Sequence, residues 1–270
     1  MNRKHFYVGL ALGAALLGSC VVLAQTPKPT PAASKSAPAA SDQISELVLA
    51  NHILSMTGVL DAYGHVSVRD QRNPNHFLLA RHLPAAVITR ADIAEYDADS
   101  KALDGNDAGG YAERFIHGEI YRARPDVMAV VHCHPLDVIA FGVTGVPLRP
   151  LFHMAGFIGD PPPIFEIRNS GGMTDMLIRN ADLGKALAKT LANRNVVLLR
   201  GHGAVVVAPS LHVVTGMAYY LIENAKLQEQ AMRLGGGKVT YLEPEEAKKA
   251  GSQDGFERAW TLWKAQATAK

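Results

Sequence analysis

The sequence predicts one α/β sandwich domain, a sheet covered by helices. Three observations predict it. Helical and strand-like hydrophobic periods alternate along the chain from Asp42. No internal repeat and no second-domain boundary interrupts that alternation. The 229 residues from Asp42 onward suit one large domain or two small ones, and the unbroken alternation favours one.

The elements follow in chain order. Ile44, Leu47, Val48 and Leu54 repeat with a helical period that ends near Gly58. HVSVRD (65–70) and HFLLARHL (76–83) are short strand-like runs separated by the turn signal RNPN. Thr89 followed by Asp92 reads as a helix start, because Thr can cap and Asp sits three residues on. IAEYD (93–97) reads as a strand. Tyr111, Phe115, Ile116 and Tyr121 place a helix over 109–123, and Arg124-Pro125-Asp126 stops it. VMAVVHCH (127–134) is a buried-type strand. A helix over 180–192 precedes strands at 195–199 and 204–208. Ser210 caps a long helix to about Leu234, and short helices over 243–250 and 255–268 close the chain.

Ahead of the domain, MNRKH is cationic and Phe6–Ala24 holds 19 residues without a charge. Basic start, apolar middle and Val22-Leu23-Ala24 before Gln25 fit a cleaved export signal over residues 1–24, which places the mature protein in the periplasm. Leu17-Gly18-Ser19-Cys20 loosely matches a lipoprotein box, with Cys20 as lipid anchor. A retained apolar span is the third reading. Residues 25–41 are Pro, Ala, Ser and Thr with two lysines, an extended tether.

The chain's net charge of +2 divides along this boundary. Residues 1–41 hold four cations and no acid; the remainder holds 23 basic against 25 acidic residues, about −2. That balance excludes a basic nucleic-acid binder, and the hydrophobic content of 48% excludes a disordered chain. Apart from Cys20 the only cysteine is Cys133, so a cleaved chain has no intrachain disulfide. Its core or oligomerisation must hold it together.

His132-Cys133-His134 ends an apolar strand. Strand side chains alternate, so both imidazoles share a face and Cys133 takes the other, as a small core residue. Such a pair either chelates one cation or sits hydrogen-bonded at a strand end. Arg200-Gly201-His202-Gly203 lies between two apolar runs, where the glycines permit a tight turn and close approach to His202. Glu113 lies on the 109–123 helix with His117 one turn away on the same face. Together Glu113, His132, His134 and His202 describe a three-His, one-carboxylate site without thiolate. That set suits zinc, manganese, iron or cobalt.

At these residues the chain resembles the class II aldolase/adducin family. The likeness runs from about Gln43 to about Gly235. It is carried by GHVSVRD (64–70), ERFIHGEIYRARPDVMAVVHCHP (113–135) and LLRGHGAVVV (198–207). The resemblance implies a three-layer α/β/α sandwich around a largely antiparallel central sheet, and a homotetramer with active sites at subunit contacts. It puts the family's acid–base glutamate on Glu113 and its metal ligands on His132, His134 and His202. Members acting on sugar phosphates cradle the phosphate with amide and small residues. Here His65, the stretch Leu79-Ala80-Arg81-His82, and Tyr111-Ala112 stand in those places. Sugar phosphate is therefore an unfavoured substrate.

FLLARHLPAAVITRADIAEYD and PLFHMAGFIG are more similar to the branch that decarboxylates hydroxylated aromatic or pyridine carboxylates. The family's proton-donating tyrosine from a neighbouring subunit falls on His153. Arg81, His82 and His65 are candidates to hold substrate anions. The expected activity is a metal-dependent carbon–carbon lyase, a decarboxylase of a small hydroxy-carboxylate. Rival expectations are an aldolase on an unphosphorylated hydroxy-carbonyl compound, an iron-dependent oxygenase, and a non-catalytic scaffold of the adducin kind.

Overall fold

The computed structural model describes residues 40–251 and 255–269. The expected export signal, Cys20 and the expected tether through residue 39 lie outside the described residues. The elements run α1 (Ala40–Met56), β1 (His65–Arg69), β2 (Phe77–Ala80), β3 (Ile93–Tyr96), α2 (Arg114–Ala123), β4 (Ala129–Cys133) and α3 (Leu136–Thr144). They continue with β5 (Ile164–Phe165), α4 (Arg168–Gly171), α5 (Ala181–Leu191), β6 (Val196–Leu199) and β7 (Gly203–Ala208). Helices α6 (Leu211–Leu234), α7 (Pro244–Ala250) and α8 (Glu257–Thr268) end the chain.

The seven strands form one sheet in the order β3-β2-β1-β4-β7-β6-β5. Every pairing is antiparallel except β5 with β6. Strand alternation splits the core in two. Val66, Val68, Val131 and Cys133 face one side, where Leu47, Ile53, Val138, Leu221 and Trp260 bring α1, α3, α6 and α8 against the sheet. Leu79, Val130, Val197 and Val205 face the other, where Ile116, Ile120, Leu187 and Leu191 bring α2 and α5. The sandwich is thus the expected three layers. Each buried Leu, Ile or Val contributes roughly 1.5–3 kcal/mol, while a helix cap contributes about 1. These two apolar layers, rather than caps, hold the fold.

Sequence and structure differ at several places. Thr89 and Asp92 do form a reciprocal capping box, but on a single 3-10 turn, Arg90–Asp92. The chain must extend at once, because Ile93–Tyr96 pairs with β2. The helix expected over 109–123 starts only at Arg114. A separate turn precedes it, closed by the Asn106 side chain accepting from the Gly109 N–H. Glu113 is therefore the residue before the helix rather than part of it. Helix α1 begins at Ala40, inside the segment read as tether. Helix α3 was not anticipated; LDVIAFGVT is a short apolar run that periodicity cannot assign. The 3-10 segment His153–Ile158 and the short elements β5 and α4 were also missed. Among the described residues no helix is long and apolar enough to cross a membrane.

Candidate metal centre and its cavity

Strand β4 runs through the middle of the sheet and ends at the site. Its alternation puts Cys133 in the α1/α6 core and His132 on the α2/α5 face. His134 follows beyond the strand end, and the two Nε2 atoms lie 3.0 Å apart. Gly203 on β7 permits this approach: a Cβ there would stand 2.1 Å from the Cys133 carbonyl oxygen. Gly201 takes the left-handed backbone (φ 65°) that turns the chain between β6 and β7 and presents His202. Glu113 reaches in from the start of α2, its Oε2 3.4 Å from His132 Nε2 and 3.5 Å from His202 Nε2. The four ligand atoms all lie within 4.8 Å of one another.

The partners behind these groups fix which atoms carry lone pairs. His132 Nδ1 faces the Ala204 carbonyl at 3.1 Å, and a carbonyl can only accept. His134 Nδ1 faces the Asp61 carboxylate at 3.2 Å. Burial raises the Asp61 carboxyl, but N–H groups of Tyr63 and Gly64 and the His134 ring outweigh it, and its pKa lies below the usual value. Asp61 is therefore an acceptor too. Both Nδ1 atoms are donors, so in the neutral rings that bind metal two bare Nε2 lone pairs face each other at 3.0 Å. Such an arrangement calls for a cation between them. Metal–nitrogen bonds of about 2.0–2.1 Å give a tetrahedral edge of roughly 3.3–3.4 Å, close to the distances seen. The residues fit a divalent transition metal.

Electrostatics agree with that fit. Burial and the neighbouring His132 lower the His134 pKa, and they bring His202 down to about 4. These two imidazoles are neutral at pH 7, the form that a metal ion binds. Burial works against ionised Glu113, yet His132 beside it and the Ile178 N–H lower its pKa to about 2. That N–H donates to Glu113 Oε1 at 2.9 Å and leaves Oε2 for the cluster.

Two expected outcomes arise here. Asp61→Ala frees the His134 ring to rotate and lowers its basicity, so metal affinity should fall about 10–100-fold. Competition with a fluorescent chelator measures this, and unchanged affinity would remove Asp61 from the site. The second concerns acid. Burial lowers fully buried His117 from 6.5 to about 3, and His202 lies at about 4. Unfolded chains carry these imidazoles near 6.5, so they bind protons that the folded state refuses. Stability from these groups is complete above pH 6.5 and lost as pH falls toward 4 and then 3. The Tm of metal-free protein should fall steadily from pH 6.5 to 4; a flat profile contradicts this.

The cluster opens on a cavity of about 430 Å³ lined by Asp61, Tyr63, His65, His82, Tyr111, Glu113, Met176, Leu177 and His202 among others. Of the residues expected to touch substrate, His65 and His82 line it. Arg81 does not: its guanidinium pairs with Asp104 and with the Asn106 carbonyl. His153 is exposed and lies in another groove with Tyr219, Tyr220, Phe256 and Trp263. A role for it in the reaction would require a second copy of the chain.

Sequence reasoning missed Asp61 and the segment that carries Ile178. In that segment Met176 lines the cavity with a left-handed backbone (φ 70°), a strained state for a side chain. Only the turn-forming run GGMTD (171–175) hinted at it.

The family profile described as "Class II Aldolase and Adducin N-terminal domain" matches residues 45–229. The chain is 37% identical over 248 residues to decarboxylase tropJ of Talaromyces stipitatus, covering 83% of this chain and 93% of that protein. It is 32% identical to the 3,4-dihydroxyphthalate decarboxylase of Arthrobacter keyseri, covering 70% and 79%. Its fold matches an aldolase II superfamily protein from Pseudomonas syringae with TM-score 0.72 at 22% identity, over 87% of this chain and 95% of that one.

Proposed function

Since the chain belongs to the class II aldolase and adducin family, we propose that it is a metal-dependent carbon–carbon lyase that decarboxylates a hydroxy-aromatic or related hydroxy-carboxylate. The observation that carries this reading is the set of ordered lone pairs on His132 and His134, completed by His202 and Glu113, at the wall of a small-molecule cavity. His65, Tyr111 and Ala112 line the same cavity without the short hydroxyls of a phosphate cradle.

His132, His134 and His202 would hold the cation through Nε2. Zinc or manganese suits this N/O set first, with iron or cobalt as alternatives. Such an ion supplies Lewis acidity toward substrate oxygens as charge develops on them. Asp61 and the Ala204 carbonyl keep the rings oriented. The substrate's ring–carboxylate bond breaks, carbon dioxide leaves, and the electron pair stays on the ring carbon until a proton arrives. Glu113 Oε2, fixed by the Ile178 N–H on its other oxygen, is placed to hold or move that proton. His153 of a neighbouring copy in a homotetramer is the second proton donor we propose. His82 and His65 at the cavity wall would contact the substrate's anionic groups.

The leader supports export, with cleavage after Ala24 and a periplasmic enzyme; lipidation at Cys20 is the alternative. Aldol cleavage of an unphosphorylated hydroxy-carbonyl substrate is the second reading, supported by the same donor set. Metal analysis of the purified protein, followed by a hydroxybenzoate and hydroxyphthalate screen, tests both. Carbon dioxide release supports the first reading and aldehyde release the second. Protein that binds no transition metal rejects both.

A further inference from the structure

We infer that a buried hydrogen-bond chain behind the cavity locks His65 as a donor toward the substrate, which makes it a specificity-determining residue for an oxygen acceptor such as carboxylate or phenolate. This rests on the reading of the cavity as the substrate site.

The chain has four members. His65 Nδ1 lies 2.7 Å from His117 Nε2. His117 Nδ1 lies 2.6 Å from Ser67 Oγ. Ser67 Oγ lies 2.8 Å from the Tyr121 hydroxyl. All four side chains are buried on the α2 side of β1, where His65 and Ser67 share a face two residues apart. His117 commits one ring nitrogen to His65 and the other to Ser67, and each link pairs one N–H or O–H with one bare lone pair. The protons can then run in only two orders.

The far end selects between them. Ser67 is the one hydrogen-bond partner of the Tyr121 hydroxyl among the described residues. In the reverse order His117 Nδ1–H donates to Ser67, and either the Ser67 or the Tyr121 O–H is left buried with no acceptor, at a cost of about 1–3 kcal/mol. Tyr121 therefore donates to Ser67, Ser67 donates to His117 Nδ1, and His117 Nε2–H donates to His65 Nδ1. The remaining proton of His65 sits on Nε2. His65 lines the cavity, and its Nε2 has no hydrogen-bond partner within the described chain. The nearby Tyr111 hydroxyl is already spent on the Leu83 carbonyl at 2.6 Å. His65 thus offers a hydrogen bond that a substrate donor group such as an ammonium or a neutral amine N–H cannot use. Refusal of the wrong polarity is as much a part of selectivity as the bond itself.

The tautomers can be read directly. Long-range proton–nitrogen NMR on ¹⁵N-histidine-labelled protein should show both His65 and His117 protonated at Nε2. Protonation at Nδ1 of either ring overturns the inference, whatever the enzyme's activity. In metal-loaded protein, Ser67→Ala should weaken salicylate binding roughly tenfold or more, the worth of a hydrogen bond to a charged acceptor. Ser67→Thr keeps the hydroxyl and should restore affinity, whereas a purely steric role for Ser67 would leave it worse than Ala. Unchanged affinity in Ser67→Ala also overturns the inference. Wild-type protein with the expected tautomers that fails to bind salicylate counts instead against the substrate class proposed above.

Discussion

Replacing His132 with alanine should strip the protein of divalent metal and reduce carbon–carbon cleavage to background. His132 is fully buried at the centre of the cluster, with His134 on one side and Glu113 on the other. Its removal takes away a ligand and leaves the other donors around a hole. Loss of an outer partner such as Asp61 costs about 10–100-fold in metal affinity, so loss of a ligand should exceed 100-fold. The fold should survive, because β4 is held by pairing with β1 and β7 rather than by this ring. Elemental analysis of the dialysed variant beside wild type, with circular dichroism to check folding, decides the matter. Full metal occupancy with wild-type turnover would sink the proposed function.

The largest stability effect should come from Arg69, away from the chemistry. Its guanidinium is buried and donates to four carbonyls: Val127 at 2.9 Å, Pro74 at 2.6 Å, Tyr121 at 2.7 Å and Arg124 at 2.9 Å. It also lies over the Tyr121 ring, 4.8 Å from its centroid. The group ties the end of β1 to the end of α2 and to the loop entering β4. Arg69→Ala would leave these acceptors short of partners in a site that water enters poorly, costing about 3–5 kcal/mol. For a domain of this size that is a fall in Tm of roughly 6–20 °C. Arg69→Lys should recover little, since one ammonium cannot span the four directions. Thermal unfolding of both variants measures this, and a shift below 2 °C would mean that the carbonyls find other partners.

Of the four members of the candidate metal cluster, the three histidines were legible in the sequence for a physical reason, and Glu113 through the family resemblance. A strand's two-residue period puts His132 and His134 on one face whatever the tertiary structure. Glycines around His202 advertise a turn and a close approach. What sequence hides is partnership. Arg81 reads as a free cation until Asp104, 23 residues away, is seen to occupy it. Asp61 reads as an ordinary loop acid until folding brings it to His134, 73 residues on. The Ile178 N–H is a backbone donor, and no side chain announces it. His117 was noted only for sharing a helix face with Glu113. Its bonds to His65 and Ser67 depend on α2 packing against β1, which no local pattern encodes. The same limit explains α3: nine apolar-rich residues become a helix because the sheet and α6 give them somewhere to pack.

Cys133 adds a practical consequence. It sits between the two histidines in sequence, yet its thiol points into the opposite core, fully buried, and burial pushes its pKa up to about 12. In a chain cleaved after Ala24 it is the sole sulfhydryl. An alkylating reagent can reach it only when β4 parts from the helices that cover it. The rate of alkylation is therefore a clock for the opening of the very strand that carries the candidate ligand His132, readable by mass spectrometry without an engineered label.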